Sequence, residues 1–204
     1  MTLRVTEVFY SLQGEGARAG EPSVFIRLSG CSAKHACHEY GVRCDTEFES
    51  GADMSVDDLV ATVRRVGNGC SWIVWTGGEP LDQLTAAVLG VFRTAGYKQA
   101  LETSGVRPLL PTVYEALDYV AVSPKVAEHV LAKHFPCVVD ELRYVRAVGH
   151  AIPEPALMAR TYCLSPHSDG EVINEANLAH CIALCLAHPQ WRLSVQQHKL
   201  WRVR

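Results

Sequence analysis

Three cysteines near the amino terminus are the first candidates for chemistry in this 204-residue chain. Cys31, Cys37 and Cys44 lie within a polar, loop-like segment, CSAKHACHEYGVRC, with the spacing C-x5-C-x6-C. Cysteine thiolates are the usual protein ligands of iron–sulfur clusters, and three of them on a four-iron cluster would leave one iron open to a substrate or cofactor. The alternatives are ordinary free thiols or a zinc site, for which His35 and His38 offer a fourth ligand.

A second candidate is the glycine-rich segment Thr76-Gly77-Gly78-Glu79-Pro80, which follows the apolar run WIVW. Two adjacent glycines let a ligand approach the main chain closely. A carboxylate beside them can bind the ammonium of an amino-acid group. The alternative is a plain turn from a strand to a helix, ended by Pro80. The cysteines upstream favour the binding interpretation.

Alternating strands and helices must position these motifs. The sequence pattern predicts strands at 23–28, 72–75, 99–102, 119–122, 141–145, 161–164 and 192–195, and helices after Ser55, over 84–92 and over 175–187. Strands that alternate with helices pair in parallel through right-handed crossovers, so residues that follow the strands gather at one edge of the sheet. A full eight-unit barrel takes roughly 250 residues, and this shorter length predicts an α/β fold with a partial parallel β/α barrel of about six units. We expect residues 1–204 to form a single domain.

The bulk composition excludes some classes of partner. A formal net charge of -3 and a pI near 6.3 provide no basic field for sequence-independent binding of nucleic acid. No run reaches the roughly 18–20 apolar residues that cross a bilayer, and the opening MTLRVTEVFY does not resemble a secretory signal. We therefore expect a cytoplasmic protein, with neither nucleic acid nor membrane as a partner, whose cysteines stay reduced.

Seven short segments carry a resemblance to a known family. They are FYSLQGEG at 9–16, FIRLSGC at 25–31, CDT at 44–46, TGGEP at 76–80, LETSG at 101–105, VSPK at 122–125 and WRLSVQQHK at 191–199. In this order they resemble the radical S-adenosylmethionine enzymes, and within them the 7-carboxy-7-deazaguanine synthases. The family usually spaces its cluster ligands C-x3-C-x2-C or lengthens the first gap. Here Gly41 stands where the middle cysteine is expected, so Cys37 must supply the third thiolate.

The resemblance implies a cofactor site. A [4Fe–4S] cluster on Cys31, Cys37 and Cys44 would bind S-adenosylmethionine at its open iron, and one electron from a donor such as flavodoxin would cleave the cofactor to a 5′-deoxyadenosyl radical. The resemblance assigns no catalytic residue beyond the cluster and the cofactor. The residues expected along S-adenosylmethionine are Gly77, Gly78, Glu79, Glu102, Ser104, Ser123 and Lys125.

The resemblance also implies a substrate, 6-carboxy-5,6,7,8-tetrahydropterin, which loses ammonia to give 7-carboxy-7-deazaguanine in queuosine-type 7-deazapurine biosynthesis. Arg27 suits the substrate carboxylate as a bidentate partner, and Glu15 would accept from the amino and ring N–H groups. The expected substrate-binding residues are Leu12, Gln13, Gly14, Glu15, Gly16, Arg27 and His198. Thr46 matches the position that offers Mg²⁺ a hydroxyl ligand, although it could instead cap a loop. The family resemblance also implies a homodimer.

Two other functions compete with this one. A small activase that places a glycyl radical on a partner protein would use the same cofactor, but it would not need Arg27 or His198. A zinc-stabilised interaction module would use the three cysteines and a histidine. It would have no use for the segments at 76–80 and 123–125.

Overall fold

The computed structural model describes residues 1–39, 46–168, 170 and 172–204. Strands in these ranges are β1 (Thr2–Leu12), β2 (Pro22–Leu28), β3 (Ala52–Ser55), β4 (Trp72–Gly77), β5 (Lys98–Thr103), β6 (Tyr119–Val122), β7 (Val139–Arg146), β8 (Ala159–Pro166) and β9 (Trp191–Leu193). The helices are α1 (Lys34–Glu39), α2 (Val56–Val66), α3 (Ala86–Thr94), α4 (Pro111–Tyr114), α5 (Glu128–His134), α6 (Glu175–Ala187) and α7 (Gln197–Trp201). Short 3-10 helices span Gly16–Arg18 and Pro80–Asp82.

All of these strands belong to one sheet with the order β3-β1-β2-β4-β5-β6-β7-β8-β9. From β2 to β9 the neighbouring strands pair in parallel, whereas β1 is antiparallel to both β2 and β3. The predicted α/β fold of parallel β/α units is therefore confirmed. The carboxyl ends of the parallel strands lie at one edge of the sheet, where the candidate residues were expected.

The helices form where local sequence signals agree with burial. Ser55 caps α2 by accepting a hydrogen bond from the backbone N–H of Asp58 at 3.1 Å. Leu59 and Val63 on its inner face are fully buried, as the 3.6-residue period requires. Thr85 caps α3 in the same way, so that helix begins at Ala86 rather than at residue 84.

Side chains on the two faces of the sheet form two apolar clusters. On β4, Ile73 and Trp75 join the large core between sheet and helices, whereas Val74 faces the other side, because successive side chains of a strand alternate. Val74 packs there with Ala100 and with the stacked rings of Phe9 and Phe25, whose centroids are 5.1 Å apart. This second, smaller cluster lies on the face of the sheet opposite the large helix-packed core, which we call the inner face.

On the same inner face, charged and polar side chains lie two residues along each strand from the apolar cluster. The register pairs Glu7 with Arg27 and Arg27 with Thr76, just as it pairs Phe9 with Phe25 and Phe25 with Val74. The sheet therefore places a polar layer directly above an apolar one.

Three strands and one connection differ from the expected pattern. The strands β1 and β3 were not predicted, and β9 ends at Leu193 instead of 195. Residues 147–158, which link β7 to β8, contain no helix. In the described part of the chain, no helix has the length and apolar character needed to cross a membrane.

Candidate active site

Two adjoining cavities lie at the carboxyl ends of the parallel strands. The larger, of about 760 Å³, is named the substrate-side cavity after the residues predicted to bind substrate, and it is lined by Glu7, Phe9, Leu12, Gln13, Gly14, Arg27, Thr76 and His198 among others. The smaller, of about 240 Å³, is named the cofactor-side cavity after the residues predicted to bind the cofactor, and it is lined by Cys31, Cys37, Gly77, Gly78, Ser104, Ser123 and Lys125 among others. Glu15, Thr46, Glu102 and Gln196 line both. The two cavities therefore meet along these four residues.

Glu102 is held at this boundary by two neutral donors. The side-chain amide of Gln13 donates to its Oε1 at 3.0 Å, and the Thr76 hydroxyl donates to its Oε2 at 3.1 Å. Burial raises the pKa of Glu102, while these hydrogen bonds oppose the rise. The resemblance placed Glu102 along the cofactor, and the geometry adds contacts with the substrate side.

Arg27 is oriented by a carboxylate of its own chain. Its Nε donates to Glu7 Oε1 at 2.8 Å, and Glu7 also pairs with Arg204 from the carboxyl-terminal segment. The guanidinium groups of Arg27 and Arg204 lie 5.7 and 5.0 Å from the centroid of the Phe9 ring, which favours cations on its face. Contacts within the chain thus position Arg27 in the substrate-side cavity.

The glycines of the segment at 13–16 let other groups approach the loop. A methyl group on Gly14 would lie 2.1 Å from His198 Nδ1, and the Gly14 carbonyl accepts from the N–H of Gln197 at 2.9 Å. Gly16 has φ +71°, and a methyl group there would meet the Glu141 carboxylate at 2.1 Å. Gly14 therefore lets the carboxyl-terminal segment with His198 pack against the site. Gly16 instead leaves room for the buried Glu141 carboxylate.

The glycines of the segment at 76–80 pack against the start of the cysteine segment. A methyl group on Gly78 would lie 1.7 Å from the carbonyl oxygen of Gly30 and 3.1 Å from Cβ of Cys31. Gly77 has φ +114°, and a methyl group there would meet the Leu28 carbonyl at 2.3 Å. Only glycine leaves room for this contact, which brings bare backbone beside the cysteines.

Glu79 is fully buried and is satisfied by the protein itself. Its carboxylate accepts hydrogen bonds from the Thr103 hydroxyl at 2.7 Å, the Ser104 N–H at 3.0 Å and the Leu81 N–H at 3.1 Å, and it also pairs with the Ser104 hydroxyl. Glu79 therefore joins the end of β4 to the end of β5. Its predicted contact with the amino group of a cofactor remains a prediction.

Ser123 and Lys125 complete the cofactor-side wall. Lys125 Nζ donates to the Ser123 hydroxyl at 2.9 Å, and backbone hydrogen bonds of 2.8 and 2.9 Å fasten this segment to Thr103 and Ser104. The ends of β4, β5 and β6 are thus joined to one another by short contacts.

The described site residues other than Gly16 and Glu79 line one or both cavities. Cys44 and Gly41 lie outside the described residues. Within the described ranges, no three His, Cys, Asp or Glu side chains converge on a metal site, and Cys31 and Cys37 share the cofactor-side cavity.

Glu7, Thr76 and Arg143 belong to the site although no role was predicted for them. Thr76 lies within the TGGEP segment, and its place beside the glycines was a usable signal. Arg143 interrupts the strand between the apolar residues Leu142 and Tyr144. This alternation of apolar and charged residues indicates that one face of β7 is polar, but it does not identify the residues that Arg143 contacts.

The chain is similar in sequence to known proteins over nearly its whole length. No family model matches the chain. A 7-carboxy-7-deazaguanine synthase from Burkholderia multivorans is 35% identical over 217 residues, with 98% of each chain covered. Another, from Bacteroides thetaiotaomicron, is 35% identical over 204 residues, with 100% of each chain covered. The chain belongs to the 7-carboxy-7-deazaguanine synthase family.

A solved structure supports the same assignment. The crystal structure of QueE from Escherichia coli matches with a TM-score of 0.66 and 25% identity, covering 97% of this chain and 95% of that one. The resemblance to 7-carboxy-7-deazaguanine synthases is thus confirmed, as is the partial β/α barrel of the radical S-adenosylmethionine type. The activase and zinc-module alternatives are not favoured by these matches.

Proposed function

We propose that this chain is a 7-carboxy-7-deazaguanine synthase, a radical S-adenosylmethionine carbon–nitrogen lyase of 7-deazapurine biosynthesis. It converts 6-carboxy-5,6,7,8-tetrahydropterin to 7-carboxy-7-deazaguanine with loss of ammonia. One observation carries the proposal: a cavity with cysteines and bare glycine backbone adjoins a cavity with Gln13 and Arg27. The full-length relatives named above support it.

The residues present fit a [4Fe–4S] cluster and S-adenosylmethionine. Cys31 and Cys37 line the cofactor-side cavity beside Gly78, and we assign Cys44 as the third thiolate. When bound, the cluster and S-adenosylmethionine supply the radical that removes hydrogen from C6 of the pterin. Gly77 and Gly78 allow close approach of the amino-acid part of the cofactor, and Ser104, Ser123 and Lys125 orient the remainder.

The substrate-side residues bind and orient the pterin. Arg27 exchanges its contact with Glu7 for the substrate carboxylate, which offers two oxygens to the guanidinium fork. Glu15 accepts from the amino and ring N–H groups, with Gln13 beside it. His198 covers the substrate from the carboxyl-terminal segment, which excludes water from the reacting ring.

Thr46 is the proposed protein ligand of Mg²⁺. It lines both cavities, so its hydroxyl can share the ion with the substrate carboxylate. Magnesium accepts few protein ligands when substrate and water supply the other oxygens. The ion would then orient the carboxylate opposite Arg27.

The remaining assignments rest on the family. We propose that residues 1–204 act as one radical S-adenosylmethionine domain in the cytoplasm, as a homodimer, with an electron donor such as flavodoxin. Size-exclusion chromatography with light scattering would test the dimer. A monomer at micromolar concentration would contradict it.

The function is tested by anaerobic reconstitution with iron and sulfide, followed by S-adenosylmethionine, reductant and the carboxytetrahydropterin. We expect brown protein with about four irons per chain and 7-carboxy-7-deazaguanine detected by mass spectrometry. Cys37→Ala should lose cofactor cleavage, whereas Cys185→Ala on α6 should retain it. Zinc in place of iron would contradict the proposal, and so would cofactor cleavage without any change in the pterin.

A further inference from the structure

A buried ionic network lies at the boundary of the two cavities, where Arg143 also lines the cofactor-side cavity. Arg143 on β7 has a side chain that is only 9% exposed, and its guanidinium reaches three carboxylates. Its Nε donates to Glu141 at 2.6 Å, its Nη1 pairs with Glu15, and its Nη2 lies 3.8 Å from Glu102. Burial lowers the pKa of Arg143 to about 10, so the group remains charged at neutral pH.

Glu141 is the fixed end of this network. It is 1% exposed and accepts from the Tyr119 hydroxyl at 2.7 Å and from the Ala17 N–H at 2.8 Å. It lines neither the substrate-side nor the cofactor-side cavity. Glu141 therefore cannot touch a ligand there, but it holds Arg143 in one orientation.

Glu15 is the end of the network that faces the ligand. It lines both cavities, and its backbone N–H donates to the side-chain oxygen of Gln13 at 3.1 Å. Gln13 therefore fixes the main chain of Glu15, and Arg143 pairs with its carboxylate. A carboxylate has about four acceptor positions, so this pairing leaves positions that point into the cavity.

We propose that Arg143 is a positioning residue that holds the Glu15 carboxylate in place, and thereby sets the preference of the site for a heterocycle with an N–H donor edge. The inference rests on the proposed function, because it takes the pterin as the ligand of Glu15. A 2-amino-4-oxo ring offers Glu15 two donors. A ring with a second carbonyl at position 2 turns an acceptor toward the carboxylate and is rejected.

The test compares two ligands on the reconstituted protein with S-adenosylmethionine present. Pterin-6-carboxylate has the 2-amino group, and lumazine-6-carboxylate has a carbonyl there. By equilibrium dialysis, we expect the wild type to bind the pterin at least ~10-fold more tightly. Arg143→Met should reduce this ratio to less than ~3-fold, and in a Glu15→Gln background it should cause no further loss, because it acts through Glu15. Arg160→Met, which removes an arginine with a 73% exposed side chain on β8, should leave the ratio unchanged.

A double variant covers the case in which Arg143→Met does not fold. Glu141→Gln with Arg143→Met removes the most buried carboxylate of the network together with the arginine, so that Glu141 is not left as an uncompensated buried charge, while Glu15 still loses its partner. Loss of the ligand preference in this folded protein supports the inference. A preserved preference in either variant overturns it while the proposed function stands, provided that the wild type forms product. A wild type that forms no product overturns the proposed function and this inference with it.

Discussion

The substrate-side and cofactor-side cavities differ in how far side chains or main chain form their walls. The substrate-side cavity is walled by side chains that already bind one another, such as Arg27 with Glu7 and Gln13 with Glu102. The cofactor-side cavity instead includes a stretch of glycine backbone, Gly77 and Gly78, packed against Leu28, Gly30 and Cys31. In the first cavity a substitution removes one contact, whereas in the second an added atom displaces the main chain. We therefore expect selective effects on one side and structural effects on the other.

The largest effect should come from adding one methyl group to the backbone-built wall. Gly78→Ala places Cβ 1.7 Å from the Gly30 carbonyl, so the two segments must separate. We expect the rate of S-adenosylmethionine cleavage to fall by more than ~100-fold, the order of loss that a misplacement of about 1 Å causes. Gly90→Ala, on α3 with nothing within 4 Å, should instead stabilise the protein by about 0.5–1 kcal/mol. Equal effects of the two substitutions would break the comparison.

The buried Glu79 should show the same structural character. Glu79→Ala leaves the N–H groups of Ser104 and Leu81 without their acceptor, and unsatisfied buried donors are costly. We expect the free energy of unfolding to fall by about 3 kcal/mol in urea titrations. The exposed Glu154→Ala should change it by less than ~0.5 kcal/mol. A stable Glu79→Ala protein with weak cofactor binding would instead give Glu79 a ligand role alone.

Arg27→Ala should sharpen the comparison from the other side. The loss of a charge-assisted pair is worth about 1.5–3 kcal/mol, so we expect pterin-6-carboxylate to bind roughly 10–100-fold more weakly. Iron content and S-adenosylmethionine affinity should not change. Arg93→Ala, on the exposed side of α3, is the matched control. If Arg27→Ala weakened the binding of both pterin-6-carboxylate and S-adenosylmethionine, the two cavities would not be independent of each other.

The smallest effect should be a change in pH dependence at the boundary. Burial raises the pKa of Glu102 above its ordinary value of 4.5. The folded protein therefore holds a proton that the unfolded chain has released, and this contribution to stability, complete below about pH 4.5, is lost as pH rises through the folded-state pKa. Glu102→Gln should remove a downward slope of at most about 1.4 kcal/mol per pH unit. Urea midpoints between about pH 4.5 and 8 would measure it, and an unchanged slope would contradict the assignment.

Local signals predicted the regular elements well. Residues 119–122 and 175–187 form β6 and α6 with the predicted bounds. Ser55 caps α2 as expected. These elements have a cap or a periodic apolar face, which is information held within a few residues. Cys181, fully buried on α6, is one of the residues that such a face requires.

The contacts of the site could not be predicted in this way. Arg143 and Glu15 are 128 residues apart, and nothing local in either segment specifies the other. The alternation of buried Leu3 and Val5 indicates a strand, yet the antiparallel place of β1 beside β2 depends on tertiary packing. The sequence around Glu79 suggests a cofactor ligand, but it does not reveal that Thr103 and Ser104 at the end of β5 bind its carboxylate.

Transfer of a labelled hydrogen tests most directly whether the two cavities act as one site. The reconstituted protein would be given 6-carboxytetrahydropterin with deuterium at C6, unlabelled S-adenosylmethionine and reductant. Because Glu15 and Glu102 line both cavities, the account requires the two ligands to lie side by side. It predicts that the deuterium leaves C6 for the 5′ carbon of the cofactor, so that 7-carboxy-7-deazaguanine carries no deuterium and the 5′-deoxyadenosyl group, free or re-formed into S-adenosylmethionine, carries it. Cleaved cofactor without deuterium, beside unchanged pterin, would contradict it.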